Sequence, residues 1–244
     1  MVREPRQWHM PAIRPSLATM SRDPTIGLGY WSAVAATVLS IAYDLAQLAE
    51  WFGWLGSRGG PESTSTAFGL ALLLTPSLLL GVAYLTLMAA VHVRTAPPRR
   101  VWSQAALAFA TVYVTLIGLV YFVQLTLVAP RIAAGRTAGI ELLLFIPFDS
   151  FLYAVDMLAY SCLSLSMLFA APAFADAGPI ERSARTWLRV NGLLLPFLAL
   201  QMYVRGLIWI ASVWAVAFPM ATWSLARVFR AGPGRVRAAH SEFI

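Results

Sequence analysis

From residue 30 onward, long apolar blocks alternate with short polar connections along the chain. Windows of about 19 residues pick out blocks at 30–55, 67–91, 102–128, 148–169, 187–203 and 207–228. Each is long enough for an α-helix to cross about 30 Å of hydrocarbon. The run from Leu188 to Phe229 is too long for one crossing, so the pattern divides it into two spans with a turn near 203–206. A half-depth re-entrant pair is the competing geometry there. Pro76, Pro196 and Pro219 fall inside the spans and mark kinks. The expected fold is all-α, a polytopic transmembrane helical bundle of six spans at 27–229. A basic arm at 1–26, whose segment 8–20 can lie along the membrane surface, precedes it, and a basic tail at 230–244 follows.

Charge orients the bundle. Arg94, Arg99 and Arg100 lie in the second connection, Arg182, Arg185 and Arg189 in the fourth, and Arg227, Arg230, Arg235 and Arg237 at the C-terminus. The other connections carry the lighter load of Arg58, of Arg131 with Arg136, and of Arg205. The positive-inside rule places the heavier set, and both termini, in the cytoplasm of a multi-pass cell-membrane protein.

Composition narrows the chemistry. Of 244 residues, 59% are hydrophobic and 12% charged, with a mean hydropathy of +0.69, a surface balance that no soluble domain of this size keeps. The net charge of +7 sits between and beyond the apolar blocks, so it reads as topology and not as a nucleic-acid footprint. All 18 basic residues are arginine, which excludes a lysine Schiff base or a Walker lysine, so any ATP is hydrolysed by a partner. The single Cys162 excludes an intrachain disulfide. His9, His92 and His240 lie near the termini or at a block's end, so no mid-membrane haem or zinc site is expected. No cofactor is implied.

Ionisable side chains at membrane depth cost a few kcal/mol and call for a partner or a function. On the first span Tyr43, Asp44, Gln47, Glu50, Trp51 and Trp54 share one face at 100° per residue. On the fourth, Asp149, Tyr153, Asp156, Tyr160 and Ser164 form a sharper stripe. Tyr113, Ile117, Tyr121 and Gln124 share a face of the third span, and Asn191, Leu198, Gln201 and Arg205 one of the fifth. With the orientation above, these groups converge on the outer half of the bundle. They imply an outward-facing cavity floored by Asp44 and Asp156 and lined by Gln47, Trp51, Tyr121, Gln124, Asp149, Tyr153 and Tyr160. Arg205 is either a ligand clamp or an ion-pair partner of Asp149 or Glu50.

Such a site binds or transports a small organic solute, cationic or amphipathic, with carboxylates selecting charge and aromatic walls supplying cation-π contacts. Six spans with both termini inside and an outer pocket resemble the substrate-binding subunits of energy-coupling-factor vitamin importers. Ala42 with Ala46 supplies a small-xxx-small surface for a partner helix. A cofactor-free intramembrane cyclase or isomerase is the alternative, with Asp44 or Asp156 as general acid on a lipid-soluble substrate. The permease half of an ATP-binding-cassette exporter also has six spans and a basic N-terminal arm, but the short connections offer an ATPase little to grip. A structural subunit without a site is the remaining reading. The expected partners are the lipid bilayer, a small-molecule ligand and a subunit of unknown identity.

Overall fold

The computed structural model describes residues 23–60, 63–146, 148–175 and 178–232. The basic arm, apart from its last residues, and nearly all of the C-terminal tail lie outside the described residues, as do His9 and His240. No strand occurs among the described residues. The main helices are α1 (Pro24–Trp51), α2 (Ala67–Arg94), α3 (Pro97–Ala133) and α4 (Phe151–Phe174). After them come α5 (Pro179–Leu193), α6 (Leu195–Leu200), α7 (Ile208–Ala211) and α8 (Trp214–Ala231). Helices α1 to α4 and the stretch Arg205–Ala231 are long and apolar enough to cross a membrane. The chain is a multi-pass helical membrane protein.

Helix ends follow from local chemistry. Asp23 caps α1 by accepting from the Thr25 N–H at 2.9 Å, with Pro24 at the first helical position. Ser150 caps α4 through the Tyr153 N–H at 3.1 Å. Thr66 caps α2 through the Gly69 N–H at 3.0 Å, and its hydroxyl donates to the Leu55 carbonyl at 2.8 Å, so one side chain ties the loop residues 52–60 to the next helix. That loop folds back on α1, the Gly60 N–H donating to the Trp51 carbonyl at 2.8 Å. At Gly59 (φ +76°), a Cβ would stand 2.9 Å from the same carbonyl oxygen, so the return requires glycine.

Packing closes the helices into a ring: α1 lies on α2, α2 on α3, α3 on α4, α4 on α5, α5 on α8, and α8 back on α1. Small residues permit the close approaches. Gly29 on α1 faces the Phe229 ring, and Gly192 on α5 faces Leu168 on α4. Polar side chains bridge helices inside the ring. Thr37 and Thr222 hydroxyls meet at 2.8 Å between α1 and α8. Tyr84 on α2 meets Ser166 on α4 at 2.8 Å, and Ser166 donates to the Ala106 carbonyl of α3 at 2.7 Å. The outer surface is apolar: Trp31, Val38, Ile41, Leu45, Leu48 and Phe52 are exposed along α1 at helical spacing, as lipid contact requires.

The fifth expected span differs from its sequence reading. Instead of one helix at 187–203, the chain forms α5 from Pro179, breaks at Leu194, and continues as the six-residue α6. Pro196 has no N–H for the Gly192 carbonyl, which ends the ladder there. Arg182, Arg185 and Arg189, expected in a connection, instead occupy successive turns of amphipathic α5, with Arg182 and Arg189 exposed and Ala184 and Leu188 fully buried. The division of the long run falls near 201–207, as the turn placement required, with a 3-10 turn at Arg205–Leu207.

Candidate functional site: an acidic and aromatic cavity at one end of the bundle

Two ends can be distinguished. At the lower end, the start of α1 meets the end of α8 through Gly29 and Phe229, and Arg94 at the end of α2 donates to the Val228 carbonyl at 2.9 Å. At the upper end, where α1 finishes and α2 and α4 begin, the helices splay around a cavity of about 440 Å³, a size typical of small-molecule sites. This upper end corresponds to the expected outer face.

The first helix supplies Tyr43, Asp44, Gln47, Glu50 and Trp51 to the cavity wall, and α4 supplies Tyr153, Asp156 and Tyr160. Gln124 reaches it from α3, Leu198 from α6, Gln201 from the turn after α6, and Trp214 from the start of α8. Three lining residues are acidic, Asp44, Glu50 and Asp156, and none is Arg, Lys or His among the described residues. Asp156 is 6% exposed and Glu50 3% exposed. One carboxylate oxygen of Asp156 and both of Glu50 have no hydrogen-bond partner among the described residues, and neither has the Trp214 indole N–H. Buried polar groups are otherwise almost always satisfied, so these atoms are the ones a cavity occupant would engage.

The floor is a continuous aromatic column. Tyr43 and Tyr160 each meet Trp214 edge-on, at 6.0 and 5.4 Å between centroids, and Trp214 stacks on Phe218 at 4.9 Å. Phe218 abuts Tyr84 and Tyr84 abuts Tyr113, both within 6 Å. The column fills the ring's centre and closes the cavity from below.

Seven of the ten residues singled out from sequence line this cavity: Asp44, Gln47, Trp51, Gln124, Tyr153, Asp156 and Tyr160. Three do not. Tyr121 is buried one layer behind, its hydroxyl 3.0 Å from that of Tyr160, because its position on α3 faces α4 and not the opening. Asp149 precedes the Ser150 cap of α4 and is exposed. Arg205 is exposed in the 3-10 turn and is not among the lining residues. No hydrogen bond reaches either oxygen of Glu50, so the expected Arg205–Glu50 pair is not formed through one. Trp54, expected on the polar face of α1, lies past the helix end and is 75% exposed.

Sequence reading also left residues out of the site. Glu50 was placed on the right face but not in the pocket. Gln201 donates to the Met157 sulfur and joins the wall through the α6 turn. Residues 144–146, expected as connection, and Phe148, expected at the start of the fourth span, join the lining, with Phe145 and Phe148 packing on Tyr153 at 6.1 and 4.8 Å. The apolar run of this stretch, Leu142 to Phe148, was the only sign. Gln124 sits where α3 widens into a π-helical turn, Gln124–Val128, and donates to the Leu143 carbonyl of this stretch at 2.6 Å. Pro130 gives the reason for the wider turn: its ring opposes the Thr126 carbonyl and offers no N–H to it.

Comparison with known proteins gives one match. A protein family described as "CcmB protein" is similar to residues 116–231, just under half of the chain, from the middle of α3 to the end of α8. The matched region includes Asp156 and leaves out all of α1, with Asp44 and Glu50. No curated protein and no solved structure matches the chain.

Proposed function

We propose that this chain is a membrane component of a solute-transport system whose upper cavity binds a small organic cation or cationic amphiphile. One observation carries the reading: three acidic side chains converge on a cavity walled by Tyr and Trp, with no basic residue in its lining among the described residues. Carboxylates held in a low-dielectric wall favour a cation strongly over an anion or neutral solute, and aromatic faces add cation-π attraction. The similarity to the CcmB family supports the transport part, since that family is the membrane component of an ABC-type haem exporter.

Haem itself does not fit this cavity as a substrate. Its two propionates would face three carboxylates, and the described lining residues offer no histidine for the iron and no arginine for the propionates. The cavity chemistry thus separates the transport class from that family's cargo.

The direct test is substitution. Asp156→Asn and Asp44→Asn each abolish cation binding or flux while the protein still inserts and purifies as a monodisperse species. Wild-type behaviour of both variants would remove the site.

The same family similarity favours a second reading, in which the chain is driven by a nucleotide-hydrolysing partner, because CcmB works with partner subunits. Complexes isolated from native membranes then show vanadate-sensitive ATP hydrolysis that rises with the bound cation and loses that response in Asp156→Asn. Hydrolysis absent, or indifferent to both, counts against it.

A further inference from the structure

The three acids are not clustered at one point. Asp44, Gln47 and Glu50 climb one face of α1, and the six residues from Asp44 to Glu50 rise about 9 Å along the helix axis. Asp44 and Asp156 belong to the floor, where Tyr43 and Tyr160, their neighbours on α1 and α4, both meet Trp214 edge-on. Glu50 lies apart from that pair, buried near the end of α1. Its carboxylate lies against the first turn of α2, so close that a Cβ on Gly69 would come within 2.7 Å of Oε2. That 28-residue helix presents its N-terminal end there, and neither Glu50 oxygen takes a hydrogen bond from it. Between the two stations the wall is apolar, with the buried Leu70 and Leu73 among the lining residues.

We infer that the cavity takes a linear dication, an aliphatic chain with a protonated amine at each end. One ammonium donates to Glu50, the other to Asp156 and Asp44, and the methylenes lie along the leucines. An ammonium brings three donors, which suits carboxylate oxygens that are buried and unpartnered. The inference rests on the cation-binding reading above and adds a second, separate charge station.

Calorimetric titration of the full chain in nanodiscs distinguishes the two claims. Hexamethylenediamine is expected to bind about tenfold or more tighter than hexylamine. Glu50→Gln removes that advantage, bringing hexamethylenediamine down to about the affinity of hexylamine for the same variant. Ethylenediamine, too short to span both stations, binds wild type no better than the monoamine, a comparison that needs no variant to fold. Equal affinity for hexamethylenediamine and hexylamine, or an advantage that survives Glu50→Gln, overturns the dication inference and leaves the cation-binding reading standing. Binding of neither amine overturns both.

Discussion

The Glu50 carboxylate lies directly against Gly69, and the space at Gly69 is what that carboxylate occupies. Gly69→Ala therefore displaces the flexible end of Glu50 and not backbone. Thermal unfolding is expected to stay near wild type while affinity for a cationic ligand falls, which calorimetry checks. Tyr84 offers a contrasting case, because its hydroxyl does structural work. Tyr84→Phe removes the bond to Ser166 but leaves Ser166 donating to the Ala106 carbonyl, so no buried hydroxyl is orphaned. The expected loss is about 1 kcal/mol of stability, read from chemical denaturation, with ligand binding unchanged. At this scale the sequence was a good guide wherever helical periodicity applied: Asp44, Gln47, Tyr153, Asp156 and Tyr160 reached the wall because they share faces of long regular helices. It was a poor guide at Asp149, Trp54 and Arg205. All three lie just beyond a helix end, where the 100° rotation per residue no longer holds.

Among the elements, α5 shows how a small residue sets a helix position. A Cβ at Gly192 would lie 2.6 Å from Leu168 Cβ and 3.0 Å from its Cα, so the obstacle is backbone as well as side chain. Gly192→Leu forces α5 away from α4 and is expected to cost about 1–3 kcal/mol, visible as a lowered unfolding midpoint in detergent. Because α6 continues from α5 to the cavity wall at Leu198, ligand affinity should fall with it. The α5–α6 break was only partly legible. Pro196 signalled a kink, but hydropathy alone merged α6 with the last turns of α5. It also missed the polar start at Pro179, whose arginines read as a loop. An amphipathic helix that packs one face on α4 and α8 can keep its other face charged, and an averaged window does not see that.

For the whole molecule, the closed ring with an aromatic column at its centre predicts a cavity reachable from one end only. With Cys162 replaced by Ser, single cysteines at 44, 47, 153 and 156 are expected to react with a membrane-impermeant thiol reagent from the upper side, and a bound cation should slow the reaction. Cysteines at the exposed positions of Arg58 and Arg136 serve as controls. Labelling of the controls alone would mean that the carboxylates are sealed from upper water. Trp214→Ala opens the floor between Tyr43, Tyr160 and Phe218. It is expected to let the reagent reach position 156 from the lower side as well.

The amino-acid sequence by itself determined the solvent and the class: apolar blocks of bilayer length can be satisfied only as helices in lipid. It also determined which helix faces carry the acids, because periodicity is a local property. Which faces meet was decided by tertiary structure alone. The ring order, the turn that brings Gln201 to the wall, the packing of Phe145 and Phe148 on Tyr153 and the place of Glu50 against the start of α2 depend on contacts between residues far apart in the chain. In a membrane every helix presents apolar surface to lipid and to its neighbours alike, so hydropathy carries no record of which neighbour was chosen. That choice rests on small-residue fits such as Gly29 against Phe229 and on hydrogen bonds such as Thr37 to Thr222, whose energy exists only once the helices are packed.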